Sequence, residues 1–261
     1  MRVFMLADTH LGMRSGSVEW LDMAAGWLEG EFLRRAESMV QPGDVLLHLG
    51  DVFDNRQQLN LLAQHRAIGM FERFGELFTG GVIAIAGNHD VMRKNSNDVC
   101  SLDCLKWVPG VRVVKEPEVV DLGGVPSLLM PWRPGPDEEK ACIDAHALHD
   151  PRYLFCHTEV RGLRMGGAQV STHGIEGSAL TAFKGVYAGH IHLRQTLSNV
   201  VMCGNPYQMT RGDLGNQKGF HVLDPITGNL DFHGVSKSIS FPAKVKVSAA
   251  EGPLRRTDRV P

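Results

Sequence analysis

DVLLHLGDVFD, residues 44–54, is a short apolar run that ends at a glycine and two aspartates. The run has no helical period, so it predicts a buried strand over 44–49. The same pattern occurs at RVFMLADTH (2–10) and VIAIAGNHD (82–90), which predict strands over 2–7 and 82–86. Apolar residues at helical spacing predict helices over 17–39 and 57–77 between these strands. Strands that alternate with helices predict an α/β fold whose first sheet is largely parallel.

The second half of the chain predicts a further sheet. Short β-type runs predict a hairpin within 111–130, and a polar helix follows near 137–148. The run YLFCH (153–157) predicts another strand, and 158–182 predicts an irregular loop with a short helix near 176–182. Strand-like runs follow at 184–188, 194–198, 200–203, 219–223 and 230–233. We expect two sheets with flanking helices in one domain over 1–240, followed by a short polar extension over 241–261.

Composition excludes several classes of protein. The chain has 261 residues, of which 43% are hydrophobic and 21% charged, as in an ordinary globular protein rather than a disordered or fibrous one. No apolar stretch approaches the roughly 20 residues that span a membrane. A net charge of −2 argues against a globally basic nucleic-acid binder. Five cysteines without a disulfide or zinc spacing predict a reducing cytoplasm.

Metal-ligand side chains recur just after the predicted strands. They are Asp8, His10, Asp51, Asn88, His157, His190 and His192. Ligands bind outside the carboxyl ends of strands in open α/β sheets, so we expect these side chains to converge on one edge. This mixture of imidazole, carboxylate and amide suits Mn²⁺, Fe²⁺ or Zn²⁺ better than Mg²⁺ or Ca²⁺. The set is too large for one ion and suits two.

The simplest allocation of these ligands uses Asp51 as a bridge. One metal then takes Asp8, His10 and His192, and the other takes Asn88, His157 and His190. Two metals about 4 Å apart can bind a phosphate and hold a hydroxide for in-line attack.

His89 lies beside a ligand and is not needed as one. It is therefore the candidate proton donor to the leaving oxygen. Asp54 or Asp90 is a candidate to orient the ring of His89 or of a ligand. Each short motif alone is also explained by turn chemistry. Their combination after successive predicted strands is what indicates a site.

The complete set of motifs resembles the calcineurin-like metallophosphoesterases. The residues that carry the resemblance are DTH (8–10), GDVFD (50–54), GNHD (87–90), His157 and GHIH (189–192). Longer stretches, LADTHLGMR (6–14), GNHDVMRKN (87–95) and GNPYQMTRGDLGNQKGF (204–220), are similar to DNA exonucleases of the SbcD type, especially to small subunits of T-even phage recombination endonucleases. The resemblance implies a four-layer αββα sandwich of two mixed sheets, a dinuclear metal site, Mn²⁺-dependent DNA cleavage and an ATPase partner of the SbcC type.

Basic residues in or beside the motif loops are candidates for sequence-independent contact with DNA phosphates. They are Arg14, Arg56, Arg93, Lys94, Arg161, Arg164, Arg194 and Arg211. The resembling subunits usually continue into a DNA-capping domain and a partner-binding segment, which 241–261 is too short to contain. We therefore expect a vestigial or absent cap.

Three functions remain open on the sequence alone. The first is a metal-dependent DNA exonuclease or endonuclease in recombination, repair or degradation, in a bacterial or phage-infected cell, and the segments 91–107 and 204–220 favour it. The second is a small-molecule phosphatase or cyclic-nucleotide phosphodiesterase, favoured by the short C-terminus and the mildly acidic charge. The third is a non-catalytic scaffold, which would have no chemical need for the full ligand set.

The helix predicted over 57–77 has two apolar stripes. One stripe contains Leu59, Ala63, Ala67, Met70 and Phe74, and the other contains Leu61 and Ile68. A surface helix of a monomer needs only one apolar face. Because the resembling nucleases dimerise through helices near this position, we expect a two-fold homodimer centred on this helix, unless a neighbouring helix covers the second stripe.

Overall fold

The structure is a computed structural model that describes residues 1–166 and 169–235. The predicted extension over 241–261 lies outside the described residues. No helix in the described ranges has the length and apolar character needed to cross a membrane.

The described residues contain sixteen short β-strands. In chain order they are β1 (Val3–Leu6), β2 (Val45–His48), β3 (Val82–Ile85), β4 (Val91–Arg93), β5 (Ser96–Cys100), β6 (Val111–Val114), β7 (Glu118–Asp121), β8 (Pro126–Met130), β9 (Tyr153–His157), β10 (Arg164–Gly166), β11 (Gln169–Val170), β12 (Gly185–Gly189), β13 (Gln195–Leu197), β14 (Val200–Met202), β15 (Gly219–Leu223) and β16 (Leu230–Gly234).

The helices lie mainly in the first half of the chain. They are α1 (Met13–Gly16), α2 (Val18–Trp27), α3 (Arg34–Glu37), α4 (Leu61–Leu77) and α5 (Pro136–His146). A π-helical segment, Leu28–Leu33, joins α2 to α3, so the predicted helix over 17–39 is one nearly continuous helical segment. Asn60 accepts a hydrogen bond from the Ala63 amide and caps α4, which explains why this helix begins at 61 rather than 57.

The strands form two large mixed sheets. The first has the order β16-β15-β1-β2-β3-β6 and the second has the order β13-β14-β12-β9-β8-β7. In the first, β1, β2, β3 and β6 are parallel. In the second, β8, β9, β12 and β14 are parallel. The antiparallel strands lie at the sheet edges, as is common in mixed sheets.

Side-chain alternation along the strands stacks these sheets between helices. In β1, Val3 and Met5 pack with Tyr153 and Phe155 of the second sheet, whereas Phe4 packs against the helices. The outer face of the second sheet packs on α5 through Ile143. Because successive strand residues point to opposite faces, one apolar strand serves two layers. The result is the expected four-layer αββα sandwich.

Three local predictions need correction. The run 111–114 does not join a hairpin; β6 pairs in parallel with β3, and only β7 and β8 form the hairpin. The polar strands of the β4–β5 hairpin lack an apolar period, so the sequence does not predict them. The segment 158–182, predicted as an irregular loop with a short helix, also contains the short β10–β11 pair.

Candidate metal centre

The predicted ligands converge on the carboxyl edge of both sheets. Asp8 and His10 follow β1, Asp51 follows β2, and Asn88 follows β3. His157 ends β9, and His190 and His192 follow β12. The parallel register places Gly189 opposite His157, so these two strands end together. The centre therefore lies where the two sheets meet, as the strand order requires.

The turns that carry the ligands hold unusual backbone conformations. Asp8, His10, Asp51 and His190 have φ angles of 53°, 44°, 56° and 97°. Non-glycine residues rarely adopt this left-handed region, and such conformations are concentrated at functional sites. Gly50 has a φ of 93°, and a Cβ atom there would lie 2.4 Å from Nδ1 of His157. Only glycine allows this close approach.

One group of ligands is centred on His10. Its Nε2 atom lies 3.0 Å from Nε2 of His192 and 3.6 Å from Oδ2 of Asp51. Ligand atoms of Asp8, His10 and His192 lie within 4.8 Å of one another. All three residues lie in the interior or close to it. This is the first trio predicted from the sequence.

A second group is centred on Asn88. Its Oδ1 atom lies 2.9 Å from Nε2 of His157 and 2.7 Å from Nδ1 of His190. Oδ2 of Asp51 lies 3.4 Å from Nε2 of His157, so Asp51 borders both groups as predicted for a bridge. The Nδ1 atom of His157 donates to the Leu49 carbonyl at 2.8 Å, which leaves Nε2 facing the other ligands. Metal-binding histidines are commonly oriented in this way.

His89 is oriented through its backbone neighbours. Its Nδ1 atom lies 2.6 Å from the carbonyl oxygen of Asp54, and a carbonyl only accepts, so Nδ1 carries the hydrogen. Its amide donates to Oδ1 of Asp51 at 2.7 Å, and its ring meets that of His10 edge to face at 4.8 Å. The half-buried ring therefore lies at the centre with Nε2 available. His10, Asp54 and His89 also bring ligand-type atoms together.

The two candidate orienting carboxylates have different roles. The Asp54 carboxylate lies 3.3 Å from Nδ1 of His10, so its side chain orients a ligand rather than His89. Asp90 accepts the amides of Asp51, Val52 and Phe53 and that of the turn at Gly87. Its contacts hold the backbone of the Asp51 turn and do not orient an imidazole ring. Positioning the loop is therefore the role that the geometry assigns to Asp90.

Burial and neighbouring charges prepare the centre for cations. Burial lowers the pKa of His190 to about 3 with help from the His157 charge, and burial next to His10 lowers the pKa of His192 to about 4. Burial opposes the charged form of His157, but the Asp51 carboxylate raises the pKa of this histidine above its ordinary value. His190 and His192 are therefore neutral at physiological pH, with lone pairs available to a metal.

The donor set fits divalent metal ions. The imidazole and carboxylate ligand atoms of each group lie within 4.8 Å of one another, and the Asn88 amide oxygen lies within hydrogen-bond distance of His157, in groups of the size that a metal ion requires. Two imidazole Nε2 atoms 3.0 Å apart, those of His10 and His192, make one hydrogen bond at most between themselves. A cation between the two rings would take the Nε2 lone pair of each and so would replace this hydrogen bond.

Two residues beside the centre were not predicted as site residues. The Trp132 ring lies 5.3 Å from that of His190, and Nε1 of Trp132 donates to the Lys94 carbonyl at 3.4 Å. Oε2 of Glu159 lies 3.9 Å from Nε2 of His190. The alternation of strand residues was a signal for Glu159, which is two positions after His157. Trp132 carried no ligand signature.

Contacts divide the predicted DNA-facing residues into two sets. In the first, Arg14 lies over the Trp20 ring at 5.2 Å, Arg161 pairs with Glu176 at 2.6 Å, and Arg194 lies over the Phe232 ring at 4.0 Å. The second set contains Arg56, Arg93, Lys94, Arg164 and Arg211, whose side chains have no ion-pair partner within the described ranges. Arg93 and Lys94 are exposed on the β4–β5 hairpin.

A buried lysine supports the His192 loop. Nζ of Lys218 donates to the His192 carbonyl at 2.7 Å, to Oδ1 of Asp213 at 2.8 Å and to Oδ1 of Asn205. The Lys218 and Asp213 side chains are 4% and 1% exposed. All three ammonium hydrogens are thus used, as buried charges require.

The same segment also supports the Asp8–His10 turn. The Tyr207 hydroxyl donates to the carbonyl of Thr9, between the two ligands. Asp213 accepts the amides of Met209 and Thr210 at 3.0 and 2.8 Å. Residues 204–218 therefore support both of the loops that carry the first trio, although no residue of this segment was predicted to act at the centre.

Comparison with known proteins assigns the family. Residues 1–194 match the calcineurin-like phosphoesterases. The chain belongs to the calcineurin-like phosphoesterase family. This agrees with the αββα fold and with the motifs at the carboxyl edge, and calcineurin-like phosphoesterases are hydrolases of phosphoesters that use divalent metals.

Individual relatives of this phosphoesterase differ in similarity. It is 27% identical over 259 residues to exonuclease subunit 1 of Enterobacteria phage T4, across 95% of this chain and 73% of that protein. A solved archaeal phosphodiesterase is 15% identical with a TM-score of 0.43, covering 90% of this chain and 100% of that one. A 5′-nucleotidase precursor from Thermus thermophilus is 14% identical with a TM-score of 0.42, covering 90% of this chain and 53% of that one. Structural similarity this low says nothing about the substrate.

Proposed function

We propose that this phosphoesterase is a metal-dependent DNA nuclease, an exonuclease or an endonuclease, that hydrolyses phosphodiesters in DNA recombination, repair or degradation. The observation that carries the proposal is the similarity to a phage exonuclease subunit across 95% of the chain, joined to a complete set of ligand groups at the sheet edge. The protein would act in the cytoplasm of a bacterial or phage-infected cell.

Two divalent ions, preferably Mn²⁺, are proposed to occupy the centre, with Fe²⁺, Zn²⁺ and Mg²⁺ as alternatives. Asp8, His10 and His192 would hold one ion, and Asn88, His157 and His190 the other, with Asp51 between them. The ions would supply Lewis acidity and a hydroxide of lowered pKa.

His89 is proposed as the general acid. Its Nδ1–H is committed to the Asp54 carbonyl, so the ring is held in one orientation, and a protonated ring presents Nε2–H outwards. General acid catalysis contributes about 10²- to 10⁴-fold, and His89→Ala should lose that factor on DNA. The alanine variant should keep the wild-type metal content by plasma emission. A loss of metal would instead assign His89 as a ligand, a role that its proximity to His10 and Asp54 permits.

The deciding experiment is a nuclease assay on end-labelled duplex and single-stranded DNA with Mn²⁺ or Mg²⁺. We expect cleavage of DNA with Mn²⁺, and faster hydrolysis of DNA than of p-nitrophenyl phosphate esters. Hydrolysis of small esters or cyclic nucleotides with DNA left intact would replace the nuclease by a small-molecule phosphatase or phosphodiesterase. A metal-free, inactive protein would indicate a scaffold.

Basic residues of the motif loops are proposed to contact DNA phosphates. The set is Arg14, Arg56, Arg93, Lys94, Arg161, Arg194 and Arg211, as the sequence predicts. Such contacts position a strand without reading its bases. Because the phage relative is a subunit by name, we also propose an SbcC-type ATPase as a partner. Stimulation of cleavage by ATP in the presence of that partner would test this.

A homodimer centred on α4 is also proposed. Leu61 and Leu62 on this helix are 80% and 39% exposed, whereas Ile68 is half-buried against its own core and is a poor contact residue. Sedimentation equilibrium should give a dimer for the wild type and a monomer for Leu61→Glu. Val99→Glu, which charges a residue of similar exposure outside α4, is the matched control. A wild-type monomer would exclude the dimer.

A further inference from the structure

A basic groove opens beside the His192 loop. It has a volume of about 340 Å³, and its walls include Arg164, Arg211, Asn216, Leu193 and Leu214. Leu193 directly follows the ligand His192, so the groove adjoins the metal centre. Among the residues that the structure describes, none that lines it is acidic.

Arg164 is held on a rigid backbone at one wall. The side-chain amide of Gln195 donates to the Arg164 carbonyl at 2.7 Å, and its oxygen accepts the Arg164 amide at 2.8 Å. This pair of bonds anchors Arg164 to the strand that follows the His192 loop. Its guanidinium is nevertheless exposed, and within the described ranges it has no ion-pair partner.

Arg211 also lines the groove, on a backbone that is held by a different set of hydrogen bonds. It begins a short 3₁₀ turn that is closed at both ends by a capping box between Thr210 and Asp213. Asp213 would otherwise attract the guanidinium, but its charge is buried against Lys218 at 2.8 Å. In the part of the chain that the structure describes, Arg211 likewise makes no ion pair.

Two neighbouring arginines, Arg161 and Arg194, differ from Arg164 and Arg211 because their guanidinium groups already have partners. Arg161 is neutralised by Glu176 at 2.6 Å, and Arg194 is stacked on Phe232. Arg164 and Arg211 therefore remain as the two uncompensated guanidiniums at one groove, each on a fixed backbone. Guanidinium groups match phosphate geometry and bind it in a bidentate manner.

We propose that this groove is a phosphate subsite, in which Arg164 and Arg211 bind one backbone phosphate of the DNA strand outside the scissile linkage. Leu214, which is 70% exposed at the rim, offers apolar contact to the adjoining nucleoside. This inference rests on the proposed nuclease function and adds a second contact point for the strand. Small phosphate esters would reach the metal centre without using it.

Binding is tested with the metal-loaded protein and a short fluorescent oligonucleotide of phosphorothioate linkages, which keeps the charge and slows hydrolysis. Arg164→Gln and Arg211→Gln should each weaken binding about tenfold and lower the salt slope by about one. The control is Arg152→Gln, which also removes one positive charge. Arg152 directly precedes β9, whereas the candidate ligand His157 ends this strand. This control should leave the affinity and the salt slope unchanged. Equal losses of affinity in all three variants would refute the subsite, because they would reflect only the overall charge of the protein.

A second measurement locates the phosphate. A series of oligonucleotides each carries one neutral methylphosphonate linkage at a different position. At one linkage outside the scissile position, the substitution should weaken binding by the wild type but not binding by the Arg164→Gln/Arg211→Gln variant. Additive losses at every linkage would overturn the subsite. Hydrolysis of bis(p-nitrophenyl) phosphate should be equal in the wild type and in the Arg152→Gln control. A wild type that hydrolyses this ester but neither binds nor cleaves DNA would refute the nuclease itself, whereas DNA cleavage without these effects would refute only the groove.

Discussion

Lys218→Met tests the buried support of the His192 loop most directly. Methionine keeps the length and apolar stem of the side chain but removes its charge and donors. The change leaves the Asp213 carboxylate, 1% exposed, without its cation, and removes the lysine donor from Oδ1 of Asn205. The His192 carbonyl loses its bond of 2.7 Å to Lys218 and keeps the longer one, of 3.3 Å, from the Asn205 amide. Both the stability of the fold and the position of a metal ligand should therefore suffer.

The magnitude follows from burial. Removing one partner of a buried ion pair costs about 3–5 kcal/mol because the other charge stays buried without compensation. A domain of this size loses roughly 2–4 °C in melting temperature per kcal/mol, which predicts a fall of about 6–20 °C. The matched control is Lys140→Met. It breaks an ion pair of 2.6 Å to Asp144, but both side chains are about 60% exposed. That variant should lose less than about 1 kcal/mol.

Urea unfolding followed by circular dichroism measures both variants, with the slope checked for unchanged two-state behaviour. Metal content by plasma emission is the second readout, and it should fall for Lys218→Met only. Equal losses of stability in the two variants would refute the argument from burial. If Lys218→Met is destabilised but keeps its full metal content, Lys218 stabilises the fold without positioning His192.

Three further perturbations follow from the site. Asp51→Asn should lower both metal content and activity, because the carboxylate borders both ligand groups; full occupancy by plasma emission would contradict the bridge. Burial raises the pKa of Glu139 to about 7 from an unfolded value near 4.5, so the folded state binds the extra proton and loses stability as pH rises through this window. Glu139→Gln should therefore be more stable than wild type by up to about 3 kcal/mol at about pH 8 and equal to it below 4.5, and a pH-independent difference would refute this sign. Arg93→Ala/Lys94→Ala should lower the salt slope of DNA binding by about two, and an unchanged slope would place the β4–β5 hairpin away from DNA.

Much of the fold was predictable because its central strands are strongly patterned. Runs such as VLLH and VIAI are apolar on both faces, which is the signature of buried parallel strands, and their ends place Asp51 and Asn88 without further information. The β4–β5 hairpin was not predictable in this way, because its residues are polar and its shape depends on contacts such as that of Trp132 with the Lys94 carbonyl.

The supporting residues of the site were also beyond the sequence pattern. Asp90 follows His89 in a motif typical of catalysis, yet it holds backbone amides that are distant along the chain. Lys218 lies 26 residues from the carbonyl it supports. Local spacing identifies residues that share a turn, but it does not report hydrogen bonds between segments that only the tertiary fold brings together.

Because the candidate ligands lie where the two sheets meet, the centre forms only when both sheets are folded and docked. Asp8 and Asn88 belong to one sheet, whereas His157 and His190 belong to the other, and the His157 ring is tied to the Leu49 carbonyl across the boundary. A chain in which only one sheet has formed holds only part of each ligand group and is chemically inert. Both candidate ligand groups are therefore complete only when the two sheets are docked.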